Sequence, residues 1–263
     1  MKLLWSVGLA GILALGATAQ SVLFDFENAP ANGQVPFNLT VGGITANFSK
    51  SGQGGFYVEH PQNTIGVLPA GFSGLCLNPT GIQAADLQVV FSVPLSDFAI
   101  LYAPQELSCD QSATMLVTAY LNGALAGSAT TNATASCPCT WQSQTLAFSS
   151  VAGFNSVLIH WVAPGMGCQD YGPIFVADNM VVTPAPPPIV LMSPARLGSG
   201  EFQFSFTNTP GRNFTVFGIT NLAVPFSNWT VLGSVLETAA GQFQFTDPQA
   251  TNNQTRFYRV RSP

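Results

Sequence analysis

The stretch MLVTAYLNGALAGSAT, residues 115–130, contains two strand-like runs on either side of the pair Asn122-Gly123. A two-residue hairpin turn of type I′ needs φ > 0 at both central positions, and Asn-Gly adopts this conformation readily. The stretch therefore predicts an antiparallel hairpin. It sets the expectation for the whole chain, which is that strands joined by short turns build the fold.

The rest of the chain repeats this pattern. Strand-like runs follow one another up to residue 182, and as separate strands they include Leu87 to Phe91, Asp97 to Tyr102, Gln144 to Phe148 and Val157 to Val162. No window has the 3.6-residue periodicity of an amphipathic helix. Charged residues make up only 7% of the chain, whereas 47% are hydrophobic and 11% aromatic, a composition that excludes disorder. We predict an all-β fold.

A proline-rich segment divides the chain. Residues 183–188 read TPAPPP, and consecutive prolines favour extended polyproline II and donate no hydrogen bonds to a sheet. We predict a linker at residues 184–190, between one domain at 20–183 and a second at 191–263.

The second domain has the alternation of a half-buried strand, because Phe202, Phe204 and Phe206 are separated by polar residues. Phe243 and Phe245 repeat the pattern. Roughly five or six short strands in about 75 residues predict a small sandwich of immunoglobulin or fibronectin type III size.

The N-terminus has the three parts of a secretory signal peptide. Lys2 supplies the positive charge, Leu3 to Leu15 the apolar region, and Ala17-Thr18-Ala19 the cleavage site. We therefore expect a signal peptide at residues 1–19 and a secreted mature chain. After its removal no stretch of about 18 apolar residues is left, so no membrane partner is expected.

Charge is distributed unevenly along the chain. Residues 20–185 contain nine acidic residues against Lys50 alone, a net charge of −8. Residues 186–263 contain five arginines against three acidic residues, a net charge of +2. A surface that follows phosphates needs more basic residues than this, so nucleic acid is excluded as a partner.

Three motifs of the first domain resemble a known fold family. They are FDFEN (residues 24–28), GGITANFS (42–49) and FVADNMVV (175–182), and they resemble the jelly-roll sandwiches of secreted bacterial proteins and of carbohydrate-binding modules. The resemblance implies a jelly-roll β-sandwich for the first domain. It also implies binding of a glycan, although sandwich folds carry many functions.

The second domain also resembles a family. Its segments FQFSFTNTPGRNFTVFGITNL (202–222), NWTVLG (228–233) and FQFTDPQATNNQTRFYRV (243–260) are similar to a C-terminal module of secreted bacterial proteins. In that family the module is an accessory β-domain without known chemistry. The resulting fold prediction is a jelly-roll β-sandwich followed by a small fibronectin type III-like β-sandwich.

Two carboxylates point to a metal site. Asp25 and Glu27 lie two residues apart in a strand-like run, so both project to the same side, and carboxylates so close repel each other unless a cation joins them. Hard oxygen ligands favour Ca²⁺. The resemblance to jelly-roll modules implies a structural calcium between the first and last strands, where Asp178 is a further ligand. The alternative is that these acids are solvated residues at the rim of the sheet.

The first domain contains five cysteines, an odd number. Export favours disulfides, and pairing among five cysteines leaves one free thiol. The disulfide candidates are Cys76, Cys109, Cys137, Cys139 and Cys168. Residues i and i+2 of a strand lie ~6.6 Å apart, too far for Cys137 to bond Cys139. We expect both to bond elsewhere, with Cys109 and Cys168 as the favoured partners. A zinc site completed by His60 or His160 is a weaker alternative, because no C-x-x-C spacing is present.

Aromatic side chains are the best candidates for ligand contacts in a domain with so little positive charge. Trp141, Tyr171 and Tyr102 are predicted to contact the ligand, and core packing is the alternative for each. No nucleophile or acid/base motif is present. We predict a secreted, non-catalytic binding protein for extracellular polysaccharide or cell-surface glycan. The alternatives are a structural or adhesive matrix protein and a glycan-degrading enzyme.

Overall fold

A computed structural model describes residues 20–104, 114–132, 141–162 and 174–262. These residues form two compact units, 20–185 and 186–262. Each unit is built almost entirely from antiparallel strands, which confirms the all-β prediction. In the described part of the chain no helix has the length and apolar character needed to cross a membrane.

The N-terminal unit has ten strands in its described residues and one short helix between the fourth and fifth strands. They are β1 (Val22–Phe24), β2 (Phe37–Val41), β3 (Ile44–Gly52), β4 (Phe56–Glu59), α1 (Pro61–Thr64), β5 (Cys76–Pro79), β6 (Ala85–Pro104), β7 (Thr114–Leu121), β8 (Ala124–Asn132), β9 (Gln144–Val162) and β10 (Phe175–Pro184). The order of pairing is β4-β5-β10-β6-β9-β7-β8, with β1 beside β10 and the β2–β3 pair beside β6.

The long strands β6 and β9 bend, so that the two halves of each strand belong to different layers of a sandwich. The first half of β6 pairs with β3 and its second half pairs with β10, with a shift of register between Val90 and Leu95. Sequence reasoning predicted two separate strands in each of these segments, and this was wrong. Pro94 lies at the bend, where a strand tolerates a residue without an N–H donor.

The two layers enclose one apolar core. In the first half of β6, Leu87 and Val89 are fully buried, whereas Gln88 and Val90 on the other face are exposed. Phe98 and Ile100 of its second half join the same core. Each fully buried apolar side chain contributes about 1.5–3 kcal/mol, so this alternation fixes which face of each layer points inward.

The hairpin predicted from residues 115–130 is confirmed. Strands β7 and β8 pair in antiparallel register around Asn122 and Gly123, which have φ values of 50° and 84°. The positive φ at both positions is the requirement that made Asn-Gly informative.

The C-terminal unit is a seven-stranded sandwich, one or two strands more than predicted. Its elements are β11 (Met192–Arg196), β12 (Phe202–Thr207), β13 (Thr215–Ile219), β14 (Thr230–Ser234), β15 (Leu236–Ala239), β16 (Gln242–Asp247) and β17 (Phe257–Arg261), with 3₁₀ turns at Phe226–Asn228 and Pro248–Asn252. One sheet has the order β11-β12-β16-β15 and the other β14-β13-β17. Buried phenylalanines such as Phe204, Phe206 and Phe243 fill the space between the sheets.

A buried carboxylate explains two motifs of this unit. Asp247 is only 2% exposed, and one of its oxygens accepts hydrogen bonds from Arg256 Nη1 at 2.8 Å and from the Tyr258 hydroxyl at 2.9 Å. Its other oxygen caps the 3₁₀ turn at the Gln249 N–H, 3.0 Å away. Burial, and then the neighbouring Asp247, raise the pKa of Tyr258 to about 12. The FTDP and RFYR motifs therefore have a structural role.

Candidate functional site

A concave pocket of ≈ 580 Å³ opens on the N-terminal unit. It lies between strand β4, helix α1, the turn after β5, and the residues Trp141 and Ile174. Its lining residues are Tyr57, Asn63, Thr64, Ile65, Pro79, Thr80, Gly81, Ile82, Trp141 and Ile174.

Trp141 is held at the pocket by an unusual backbone conformation. Its φ is 67°, in the left-handed region that a bulky residue adopts rarely and at a cost of about 1–3 kcal/mol. Its N–H donates to the carbonyl oxygen of Pro104 at 3.1 Å, and its ring packs in a small second core with Ile174 and Val176. Because Trp141 is only 8% exposed, most of its ring packs against other side chains and only one edge faces the pocket.

The polar groups of the pocket are hydroxyls and amides. The Thr64 hydroxyl donates to the buried side chain of Asn78, whose Nδ2 donates in turn to the Glu59 carbonyl oxygen at 2.8 Å. Asn63 Nδ2 donates to Glu59 Oε1 at 2.9 Å. Burial, and then the nearby Glu59 carboxylate, raise the pKa of Tyr57, so its hydroxyl is neutral at physiological pH. Among the described residues that line the pocket, no side chain is charged.

The other two predicted ligand contacts have different outcomes. Tyr102 is wrong as a ligand contact, because it is 0% exposed and its hydroxyl donates to the Thr131 carbonyl oxygen at 3.1 Å. The alternation of β6 turns it inward with Phe98 and Ile100, so packing was the correct alternative. Tyr171 lies outside the described residues. Sequence reasoning did not predict Tyr57 or the small polar residues around it, for which no local pattern gives a signal.

Two of the three predicted calcium ligands, Glu27 and Asp178, contact one loop, residues 71–75. Glu27 Oε1 accepts from the Leu75 N–H at 2.9 Å, and Asp178 Oδ2 accepts from the Ser73 N–H at 3.1 Å. Asp25 Oδ1 accepts from the N–H of Glu27 at 3.2 Å. The loop comes so close that a side chain on Gly74, which has φ +58°, would collide with the Glu27 carboxylate.

Asp178 has a raised pKa at this loop. Its burial raises the pKa, the Ser73 and Asn179 N–H groups lower it, and the charges of Glu27 and Asp25 raise it further, to a net value of about 6. Among the described residues no three His, Cys, Asp or Glu side chains stand as a ready metal-binding group. Calcium at this loop stays a prediction.

Cys76 does not form a disulfide, which corrects its place among the candidates. Its thiol is free and buried, and desolvation followed by the charge of Asp178 raises its pKa to about 12. Such a thiol is unreactive, since the thiolate is the nucleophile and the metal ligand. The other four cysteines, Cys109, Cys137, Cys139 and Cys168, lie outside the described residues.

The two histidines of the zinc alternative lie in the described part of the chain. His160 is exposed, and its Nδ1 is 2.6 Å from Asp86 Oδ1 across the outer face of a sheet. His60 is also exposed, at the N-terminus of α1. In the part of the chain that the structure describes, neither belongs to a group of three metal-ligating side chains.

No protein-family model matches the chain, and no curated protein matches it. Among solved structures, the tandem CBM22 domain of Paenibacillus barcinonensis Xyn10C is 11% identical, with a TM-score of 0.34 over 94% of this chain and 90% of that one. The family 11 carbohydrate-binding module of Clostridium thermocellum Lic26A-Cel5E is 12% identical, with a TM-score of 0.30 over 64% of this chain and 97% of that one.

A third similar structure is the enzymatically active domain of bacteriophage CBA120 tailspike protein 4. It is 13% identical, with a TM-score of 0.33 over 53% of this chain, which spans only 19% of the tailspike chain. TM-scores this low carry no argument about ligand or activity. Those have to come from the residues of the chain itself.

Proposed function

We propose that this protein is a secreted, non-catalytic binding protein for extracellular polysaccharide or cell-surface glycan, and that its N-terminal unit binds uncharged sugar at the pocket beside Trp141. The observation that carries the proposal is the left-handed backbone of Trp141, which lines a pocket together with Tyr57 and with uncharged side chains of the other described residues. Strained residues concentrate at sites where ligands bind, because the surrounding structure must hold them against their preference.

The chemistry of the pocket suits a sugar ring. Sugars present C–H faces that stack on aromatic rings, and hydroxyl groups that both donate and accept hydrogen bonds. Tyr57 and the margin of Trp141 offer the aromatic surface, while Thr80 and Asn63 offer polar groups at the same opening. A pocket that combines apolar walls with a few polar groups is the usual form of a small-ligand site.

The experiment is binding of the mature, oxidised protein to a panel of insoluble polysaccharides and arrayed glycans. Tyr57→Ala should weaken binding about tenfold or more, which corresponds to ~1.4 kcal/mol. Trp141→Ala should weaken it too, but it also removes packing and lowers stability by about 3–5 kcal/mol. Tyr57→Ala is therefore the variant that separates binding from folding.

Tyr120→Ala is the matched control, because Tyr120 is a half-buried tyrosine of β7 outside the pocket. It should bind as the parent does. Equal binding by the parent and Tyr57→Ala would contradict the pocket as the site. Binding to no glycan would favour the matrix protein, and release of soluble sugar would favour the glycan-degrading enzyme.

We further propose that Ca²⁺ binds at the loop of residues 71–75 through Asp25, Glu27 and Asp178. Glu27 and Asp178 contact the loop, and the charge of Asp25 acts on Asp178 from nearby. An oxygen-rich region of this kind suits a hard cation. The ion would neutralise repulsion that the described residues leave without a basic partner. It would stabilise the fold and take no part in chemistry.

EDTA should lower the melting temperature of the parent protein, and Asp178→Ala should abolish the difference. Asp97→Ala is the control, since Asp97 is an exposed acid bonded to Ser96 and Ser149 away from this loop, and it should keep the EDTA response. A parent protein with the same melting temperature in EDTA and in calcium would reject the site.

A further inference from the structure

The outer face of the three-stranded sheet in the C-terminal unit combines aromatic and arginine side chains. Phe217 of β13 stands opposite Val231 of β14 on one side and Arg259 of β17 on the other. Arg261 lies two residues further along β17, on the same face. The inward positions of β13 are Val216 and Gly218, both buried.

A 3₁₀ turn adds two more rings to this face. The rings of Phe226 and Phe217 are 5.0 Å apart, and those of Trp229 and Phe226 are 5.6 Å apart. Trp229 Nε1 donates to the Val224 carbonyl oxygen at 3.3 Å, which fixes the indole. We call the set Phe217, Phe226, Trp229, Arg259 and Arg261 the arginine-aromatic face.

Both arginines are exposed and oriented on this face. Arg259 Cζ lies 4.3 Å from the centroid of the Phe226 ring, a cation–π contact that holds the guanidinium in place. Two side chains at i and i+2 of a strand start ~6.6 Å apart on the same side. In the described residues neither arginine forms an ion pair, so both charges are available to a ligand.

The acidic groups of this unit are already engaged by other partners. Asp247 is buried with Arg256, Glu237 accepts from the N–H groups of Gly211 and Gly241, and Glu201 accepts from the Ser199 hydroxyl. All three belong to or precede strands of the other sheet. Among the described residues of this unit, no side-chain carboxylate pairs with the positive charge of the arginine-aromatic face.

We propose that the arginine-aromatic face binds a carboxylated polysaccharide. A guanidinium binds a carboxylate in a bidentate geometry. The half-buried rings of Phe217, Phe226 and Trp229 add aromatic surface beside the two charges. Two arginines are too few to follow the phosphates of a nucleic acid. This site is separate from the pocket of the N-terminal unit. It gives a function to Trp229 of the NW motif and to Arg259 of the RFYR motif, which take no part in the hydrogen bonds to Asp247.

The test uses the full mature chain and polygalacturonate, with its methyl ester as a probe of the same backbone without charge. Polygalacturonate should bind, and its binding should weaken with added salt. The double variant Arg259→Ala/Arg261→Ala should lose about tenfold or more in affinity. The double variant with lysine at both positions keeps the charge but loses the bidentate hydrogen-bonding geometry of the guanidinium, and it should lose part of the affinity. Trp229→Ala should weaken binding to the acid polymer as well.

Arg196→Ala is the matched control, because Arg196 is an exposed arginine at the end of β11 on the other sheet. It should bind polygalacturonate as the parent does. An unchanged double variant, an equal loss with Arg196→Ala, or equal binding of the methyl ester would overturn the proposal. A further contradicting result would be a parent chain that does not bind polygalacturonate but self-associates at low salt, with the double variant unable to self-associate. The face would then bind an acidic protein surface. Tyr57→Ala should leave polygalacturonate binding unchanged, so the two proposed sites can fail separately.

Discussion

Folding changes the pKa of Asp178 in the N-terminal unit. Asp178 is fully buried, and its neighbours Asp25 and Glu27 add negative charge. The folded protein therefore holds its proton up to a pKa of about 6, higher than an unfolded chain does. A group of this kind contributes stability that is present in acid and is lost as pH rises through the folded pKa.

In EDTA we expect this dependence to disappear in Asp178→Asn, whose amide resembles the protonated acid. The melting temperature of the variant minus that of the parent should increase between pH 4 and pH 7.5, because only the parent buries a charge at the higher pH. Thermal unfolding followed at several pH values measures the difference. A difference that stays constant across this range would show that Asp178 has an ordinary pKa.

Trp141 illustrates a residue whose role no local pattern could reveal. The sequence places a tryptophan two residues after Cys139, and packing and ligand contact were both open alternatives. The structure contains both, since 8% exposure leaves a ring margin at the pocket while the remainder packs on Val176 and Ile174. The partners come from β10 and the segment before it, more than thirty residues away in the chain.

At the scale of elements, the β7–β8 hairpin rests on the backbone of its turn. Gly123 has φ 84°, and a Cβ added there would have no atom within 4 Å. Gly123→Ala should therefore destabilise the protein through backbone strain alone, by about 1–2 kcal/mol. Urea unfolding measures this change.

Gly81→Ala is the control for the hairpin, because Gly81 also has open space around its Cβ position but no positive φ. It should be neutral or raise stability by less than about 1 kcal/mol, through the unfolded state. Equal destabilisation by both substitutions would contradict the role of the left-handed conformation.

The long strands show where element prediction from sequence fails. The turn-like residues around Pro94 and Gly153 divide β6 and β9 into separate runs in the sequence, but the chain continues through both as bent strands. Local preference marks a break in regular pairing. It does not distinguish a turn from a bend, because that depends on whether partner strands are present on both sides.

At the scale of the whole molecule, two units with opposite net charge share one chain. The boundary between the units, after Ala185, falls inside the predicted linker of residues 184–190. Strand β10 includes Pro184, and the Ala185 N–H donates to the Pro94 carbonyl oxygen at 2.9 Å. A proline can end a strand when its missing donor faces no partner. Composition alone therefore located the boundary closely. Hydrogen bonding attaches the first residues of the predicted linker, Pro184 and Ala185, to the sheet.

The sequence by itself determined the all-β class, the hairpin at Asn122-Gly123 and the small C-terminal sandwich, because turn chemistry and two-residue alternation act between neighbours in the chain. Only the tertiary structure decided that Tyr102 is core, that Cys76 is a free thiol, and that Tyr57 and Trp141 share a pocket. It also placed the arginine-aromatic face, by pairing β17 with β13 and laying the Phe226 turn over them. These outcomes depend on contacts between strands far apart in sequence, which no local pattern encodes.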